Sequence, residues 1–275
     1  MTRRSPPLVA SLALASLLFA RTAGAQAVIR NRPERVYLAV DATTMVLAAG
    51  GWASSQLALD RLVSPSCPCT SLGLLPVDRW LAGRRDDALA LTADISLGVG
   101  LVGFAAFAAL DAHRTQHDWS EVGEDLVVVA ESVLLSGAIN QVVKLGVQRP
   151  RPMIYELGPG DPALRVADNY LSFYSMHTST AFSTATSVAS VFARRHPNSP
   201  WRWAVASGAI TFGAGIGLLR VFSGRHFPTD VLTGAVVGSV IGLVLPALHA
   251  RPDALGVTVG AVGDGTTGVV VAGAW

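Results

Sequence analysis

Long apolar segments separated by polar stretches run along the chain from residue 36 to residue 248. A helix needs about 20 mostly apolar residues to span a bilayer. The candidate spans are Val36–Leu59, Ala88–Leu110, Leu126–Val147, Thr178–Phe192, Trp203–Val221 and Asp230–Leu248. The fourth is short and rich in Ser and Thr, whereas the last two are rich in Gly, Ala and Ser, which lets helices pack closely in lipid. The pattern predicts an all-α, polytopic membrane helix bundle of about six spans.

Composition supports a membrane protein. Hydrophobic residues make up 51% and charged residues 15% of the 275 residues, where a soluble domain carries about 25% charged residues. The formal net charge is only +2 and no basic run is present, so nucleic acid is not an expected partner. This profile excludes a disordered chain and argues against an ordinary soluble enzyme, which leaves membrane lipids as the expected surroundings.

The N-terminus has the form of an export signal. Arg3 and Arg4 precede the apolar run Leu8–Ala20, and Ala23-Gly24-Ala25 supplies small residues for cleavage. We therefore predict a signal peptide over residues 1–25, with an uncleaved anchor as the alternative.

The rest of the chain divides into three parts by its pattern. Residues 26–125 hold the first membrane segments and a loop, and residues 126–250 form a membrane core. Residues 251–275 form a tail with two β-prone runs around Gly263-Asp264-Gly265, which predicts a possible β-hairpin.

Three acidic residues fall inside the predicted spans: Asp41, Asp94 and Glu131. A carboxylate in hydrocarbon is expensive, so each should face the bundle interior and have a partner. Structural hydrogen bonding between helices is the favoured interpretation, and a proton or ion path is the alternative.

Three polar clusters stand at the ends of the later spans: Lys144 with Arg151, Ser175 with His177, and Arg220 with His226 and Asp230. Each alone has a structural explanation. The first resembles a positive flank, the second a helix N-cap, and a histidine at a membrane interface is often structural.

Because consecutive spans alternate in direction, all three clusters should meet at one membrane face. His226 and Asp230 are four residues apart, so a carboxylate could fix one ring nitrogen and leave the other as a nucleophile. Together the cations, histidines, serine and carboxylate suit phosphoryl transfer to a histidine and then to water.

The spacing Lys-x6-Arg-Pro, Ser-x-His and Arg-x5-His-x3-Asp resembles the type 2 phosphatidic acid phosphatase (PAP2) family over Leu126–Leu248. The resemblance implies that Lys144, Arg151 and Arg220 bind phosphate oxygens, with a hydrogen bond from Ser175. It further implies His177 as general acid, His226 as nucleophile and Asp230 as the group that orients and polarises His226. Hydrolysis in this family needs no metal and no cofactor.

The second motif departs from the family's usual Pro-Ser-Gly-His, because Tyr174 and Met176 replace the proline and the glycine. Met176 keeps a backbone N–H but adds bulk beside the site. We expect this departure to affect rate and substrate fit rather than the type of reaction.

A site at the membrane face predicts a lipid phosphate or pyrophosphate as substrate. Phosphatidic acid, phosphatidylglycerophosphate, undecaprenyl pyrophosphate and lipid A phosphates all remain candidates. The alternatives are a vanadate-dependent haloperoxidase-like enzyme and a non-catalytic membrane protein that binds phosphate.

The expected location is the cell inner membrane, with the site facing the periplasm. Arginines outside the motifs are slightly more numerous on the opposite face, as the positive-inside rule requires. A cleaved signal followed by six true spans would instead place the site in the cytoplasm.

Cys67 and Cys69 lie on the site face and have no predicted catalytic role. An oxidised pair is possible there if the loop is periplasmic, although a disulfide across one residue is strained.

Overall fold

Six long helices form the bundle in the computed structural model, which describes residues 36–116, 119–250, 257–262 and 266–271. They are α1 (Leu38–Leu57), α2 (Asp87–Gln116), α3 (Trp119–Val147), α4 (Met176–Arg195), α5 (Trp201–Phe222) and α6 (Pro228–His249). The predicted signal peptide lies outside the described residues.

Four of the long helices are long and apolar enough to cross a membrane. These segments are Asp87–Thr115, Val122–Ile154, Trp201–Phe222 and Pro228–His249. The other two long helices, α1 and α4, have the length but are less apolar. The prediction of an all-α membrane bundle is confirmed, with four of its six spans supported by composition.

Helix α4 is the centre of the bundle, which explains its polar composition. Most of its residues from Thr178 to Phe192 are buried against the neighbouring helices. Their hydroxyl groups are satisfied inside the protein: Thr184 bonds a backbone carbonyl of its own helix, and the Ser179 hydroxyl lies 2.6 Å from that of Ser136 on α3. A helix shielded from lipid by protein can carry such residues.

Glycines on α6 let it lie directly against α4. A Cβ atom on Gly234 would stand 2.7 Å from the Ser175 carbonyl oxygen, and one on Gly238 would stand 2.3 Å from that of Ser179. These distances are too short for any side chain. The small residues therefore set the close approach of α4 and α6, as the composition of the sixth segment predicted.

Two loops cover the end of the bundle where α3 and α5 finish. The first contains the short helices Leu59–Leu62, Ser71–Gly73 and Pro76–Arg79, and the second contains Pro152–Ile154, Pro162–Arg165 and Ala167–Tyr170. They contact each other, since Gly83 donates its N–H to the carbonyl of Pro152 and Cys69 bridges to Tyr155. Cys67 and Cys69 form a disulfide within the first loop.

The C-terminal tail contains two short strands. Val257–Val262 (β1) pairs with Thr266–Val271 (β2) in antiparallel fashion, with Val262 opposite Thr266.

Candidate active site

The helix ends with the predicted site residues surround one cavity of about 290 Å³. Lys144 comes from the last turn of α3, His177 from the first turn of α4 and Arg220 from the last turn of α5. Arg151 and His226 reach the cavity from the loops that follow α3 and α5. Five of the seven predicted residues therefore line the same space.

His226 is held in one tautomer. Its Nδ1 atom lies 2.8 Å from the carbonyl oxygen of Ser172. Because a carbonyl can only accept, Nδ1 carries the hydrogen and Nε2 is left with a free lone pair. Burial, reinforced by the charges of Arg151, Lys144 and Arg220, lowers the pKa of His226 well below its ordinary value of 6.5. The ring is therefore neutral, as a nucleophile must be.

Asp230 lies beside His226, as the spacing predicted, but makes no hydrogen bond to it. The distance from its Oδ2 atom to Nδ1 of His226 is 3.9 Å, too long for a hydrogen bond. The helix begins at Pro228, so His226 precedes it and the i,i+4 geometry of a helix does not apply. Asp230 instead accepts hydrogen bonds from the Ser172 hydroxyl at 2.6 Å and the Phe227 N–H at 2.9 Å. Asp230 thus fixes Ser172, whose carbonyl binds His226, and Phe227, which follows His226 in the chain.

Ser175 is the N-cap of α4, as the sequence predicted. Its hydroxyl oxygen accepts from the hydroxyl of Thr178 at 2.9 Å and from the Thr178 N–H at 3.4 Å. The Ser175 side chain is fully buried, and Ser175 is not one of the residues lining the cavity. Its hydroxyl therefore organises the helix start that carries His177.

Asp94 of α2 lies in the cavity, where sequence reasoning expected only a structural partner. Its Oδ1 atom is 2.7 Å from Nε2 of His177 and 2.8 Å from Nη1 of Arg220. About half of its side chain is accessible to the cavity and solvent. A single acid inside an apolar segment gives no spacing signal, so only the fold reveals this contact.

Arg149 was also missed by the motif analysis. Its guanidinium bonds Asp78 at 2.9 Å and Asp230 at 2.5 Å, and it lies over the ring of Phe227 at 4.1 Å. Both acids have fully buried side chains. The Arg149 guanidinium therefore pairs with two buried carboxylates, one of which is Asp230 beside His226.

Two further ion pairs position cations at the cavity. Arg151 donates to the carboxylate of Asp168 at 2.7 Å and to its backbone carbonyl at 3.0 Å. Arg225, which also lines the cavity, pairs with Asp87 at 2.9 Å. Four cationic side chains therefore line the cavity: Lys144, Arg151, Arg220 and Arg225. Such a cluster of positive charges suits a phosphate.

Comparison with known proteins agrees with the motif spacing. Residues 125–253 match the model of the PAP2 superfamily. The sequence resemblance to PAP2 membrane phosphatases is therefore confirmed over the segment that contributes every predicted site residue.

Two solved structures resemble the chain. One is the transmembrane PAP2 type phosphatidylglycerolphosphate phosphatase from Bacillus subtilis, with 20% identity, coverage of 76% of this chain and 94% of that one, and a TM-score of 0.43. The other is LpxE from Aquifex aeolicus, with 20% identity, coverage of 63% and 97%, and a TM-score of 0.40. Similarities of this size carry no conclusion about substrate.

Proposed function

We propose, from the match of residues 125–253 to the PAP2 superfamily, that this membrane phosphatase hydrolyses a lipid phosphate monoester or pyrophosphate through a phosphohistidine. The observation that carries the proposal is the state of His226. Its Nδ1 donates to the Ser172 carbonyl, which leaves Nε2 as the nucleophilic atom in a cavity shared with Lys144, Arg151 and Arg220.

The first step forms the Nε2–P bond and breaks the bond from phosphorus to the leaving oxygen. Lys144, Arg151 and Arg220 hold the non-bridging oxygens and offset the charge that builds on them. His177 gives its proton to the leaving oxygen. The leaving group therefore departs as an alcohol from a monoester, or as a protonated phosphate from a pyrophosphate. Asp230 and Ser172 keep the tautomer of His226 fixed throughout.

The second step returns the enzyme to its starting state. Neutral His177 removes a proton from water, the resulting hydroxide attacks phosphorus, and the Nε2–P bond breaks. Inorganic phosphate leaves and His177 is again protonated. Each step uses only side chains of this chain and water.

A lipid substrate is supported by the position of the cavity. It lies at the ends of α3 and α5, two helices that are long and apolar enough to cross a membrane. A phosphate head group can enter the cavity there while its acyl or prenyl tail stays among the lipids. We therefore propose a lipid phosphate over a soluble sugar or nucleotide phosphate.

The activity is testable with purified protein in detergent. We expect phosphate release in EDTA from a panel of phosphatidic acid, phosphatidylglycerophosphate and a polyprenyl pyrophosphate, and loss of that release in His226→Ala. A rapid acid-free quench with labelled substrate should trap an acid-labile, alkali-stable phosphohistidine. Inertness toward the panel, or equal activity in His226→Ala, would contradict the proposal.

We also propose that the cavity faces the periplasm from the cell inner membrane. The loop with the Cys67–Cys69 disulfide packs beside Tyr155 and Glu156 at the cavity end of the bundle, and disulfides persist in oxidising compartments. Cysteine labelling tests this in a Cys67→Ser, Cys69→Ser background. A membrane-impermeant maleimide should reach Gly160→Cys but not Asn198→Cys at the other end, and the reverse result would place the site in the cytoplasm.

A further inference from the structure

A second cluster of ionisable side chains lies far from the phosphate cavity. Asp41 stands in the first turn of α1, Glu131 lies on α3, and His249 is the last residue of α6. All three are buried, with 3%, 4% and 6% of their surfaces accessible. Glu131 and the cavity residue Lys144 both lie on α3, 13 residues apart, which separates the cluster from the cavity by roughly 20 Å or more at about 1.5 Å per residue.

The three side chains are spaced as ligands around a common centre. Nε2 of His249 lies 3.4 Å from Oε2 of Glu131 and 3.5 Å from Oδ1 of Asp41. All three atoms fall within 4.8 Å of one another. These separations are long for hydrogen bonds. They equal the roughly 3.4 Å between ligands of a tetrahedral ion with bonds of about 2.1 Å.

Outer contacts fix two of these groups. Nδ1 of His249 lies 2.9 Å from the carbonyl of Leu245, so Nδ1 carries a hydrogen and Nε2 is the ring atom that faces the two carboxylates. Oδ2 of Asp41 accepts from the N–H of Tyr37 at 2.7 Å, which leaves Oδ1 for the centre. Metal-binding histidines and carboxylates are oriented in this way by backbone groups.

An unsatisfied atom points independently to a missing cation. Oε2 of Glu131 is buried and has no hydrogen-bond partner in the described part of the chain. A buried acceptor without a donor is costly, above all on a carboxylate. Nε2 of His249 lies 3.4 Å from this oxygen but does not form a hydrogen bond with it, so a cation between the two atoms would satisfy both.

We propose that Asp41, Glu131 and His249 bind a divalent transition-metal ion of the Zn²⁺ type. Two carboxylates and a neutral imidazole would balance the charge of such an ion, and a set of one nitrogen and two oxygens suits Zn²⁺. The ion joins α1 to α3 and α6. Its role is structural, since it lies far from His226 and the phosphatase chemistry needs no metal.

Metal content and spectroscopy test the site in the intact, tag-free protein. After equilibration with Zn²⁺ and removal of free ion, we expect about one Zn²⁺ per chain by mass spectrometry. Co²⁺ in its place should give the strong visible d–d bands of tetrahedral coordination. Glu131→Gln, which keeps size and removes charge, should weaken Zn²⁺ binding by at least about tenfold and reduce the stabilisation that Zn²⁺ gives in thermal unfolding.

His196→Gln is the matched control. His196 follows α4 at the same end of the bundle and contacts Asp111 at 2.9 Å, away from the three proposed ligands. This variant should bind Zn²⁺ as the wild type does. A wild-type chain that takes up neither Zn²⁺ nor Co²⁺ would overturn the proposal, whether or not any variant folds. Equal Zn²⁺ binding by Glu131→Gln would overturn it too.

Discussion

Oδ1 of Asp94 lies 2.7 Å from Nε2 of His177, the proposed general acid. The same oxygen accepts from Arg220, a proposed phosphate ligand, at 2.8 Å. A carboxylate in contact with an imidazole favours its protonated form, which is the form that donates to a leaving group. The Asp94 carboxylate also occupies a donor of Arg220 that a phosphate oxygen would use. We therefore infer that Asp94 positions His177, favours its protonated form against the effect of burial, and competes with phosphate for Arg220.

Replacing Asp94 with asparagine should lower turnover selectively. We expect kcat for a lipid phosphate to fall about tenfold to hundredfold in Asp94→Asn, less than the roughly 10²- to 10⁴-fold contribution of a general acid itself, because His177 is still present. KM should stay the same or fall, because Arg220 loses a competing charge. With p-nitrophenyl phosphate, whose leaving group needs little protonation, kcat should change far less. Steady-state kinetics with both substrates measures this split.

The control for this experiment is Asp60→Asn, which alters an exposed acid on the short helix Leu59–Leu62. It should leave both kinetic constants unchanged. An equal loss of kcat for both substrates in Asp94→Asn would mean that the residue only maintains the structure.

The motif spacing was sufficient to find five of the residues that line the cavity. Lys144, Arg151, His177, Arg220 and His226 were all placed at span ends, and alternating helix direction brings such ends together. The glycines of the sixth segment likewise predicted close packing. These features depend on local sequence and on the simple topology of a membrane bundle.

Tertiary contacts of isolated polar residues could not be predicted in this way. Asp78 and Asp94 are single acids in a loop and a span, and their partners come from distant segments. The Asp230 carboxylate lies 3.9 Å from Nδ1 of His226 and makes no direct hydrogen bond to it, because the helix begins after His226 and the i,i+4 geometry of a helix does not apply. The low apolar content of α4 reflects its central position, which composition does not reveal.

Arg149 should be important for stability. Arg149→Met leaves the buried carboxylates of Asp78 and Asp230 without their cation, and breaking a buried pair costs about 3–5 kcal/mol. We expect a clear fall in the thermal midpoint, with partial recovery when Asp78→Asn is added. Thermal unfolding in detergent measures both.

Arg85→Met is the comparison for Arg149→Met, since Arg85 forms an exposed pair with Asp87. Exposed pairs contribute about 0–1 kcal/mol, so this variant should unfold near the wild-type temperature. Similar midpoints for the two variants would show that the Arg149 network adds no special stability.

His226 should make the fold sensitive to acid. Its folded pKa lies below the ordinary 6.5 because the ring is buried among cations. Below pH 6.5 the unfolded chain therefore binds a proton that the folded chain does not. The free energy of unfolding therefore decreases as the pH is lowered. Between about pH 7.5 and pH 5, the thermal midpoint of the wild type should decline more steeply than that of His226→Gln. Parallel declines would contradict this assignment.

Met176 should restrict the size of the phosphate head group that the cavity admits. Its side chain lines the cavity at the first position of α4, directly before His177. Met176→Gly removes that bulk, so KM for phosphatidylglycerophosphate should fall severalfold relative to KM for phosphatidic acid. The helix should tolerate the change, because glycine costs at most about 1 kcal/mol there. Met176→Leu conserves volume and should behave as the wild type. If KM for both lipids changed by the same factor in Met176→Gly, the side chain would not discriminate by size.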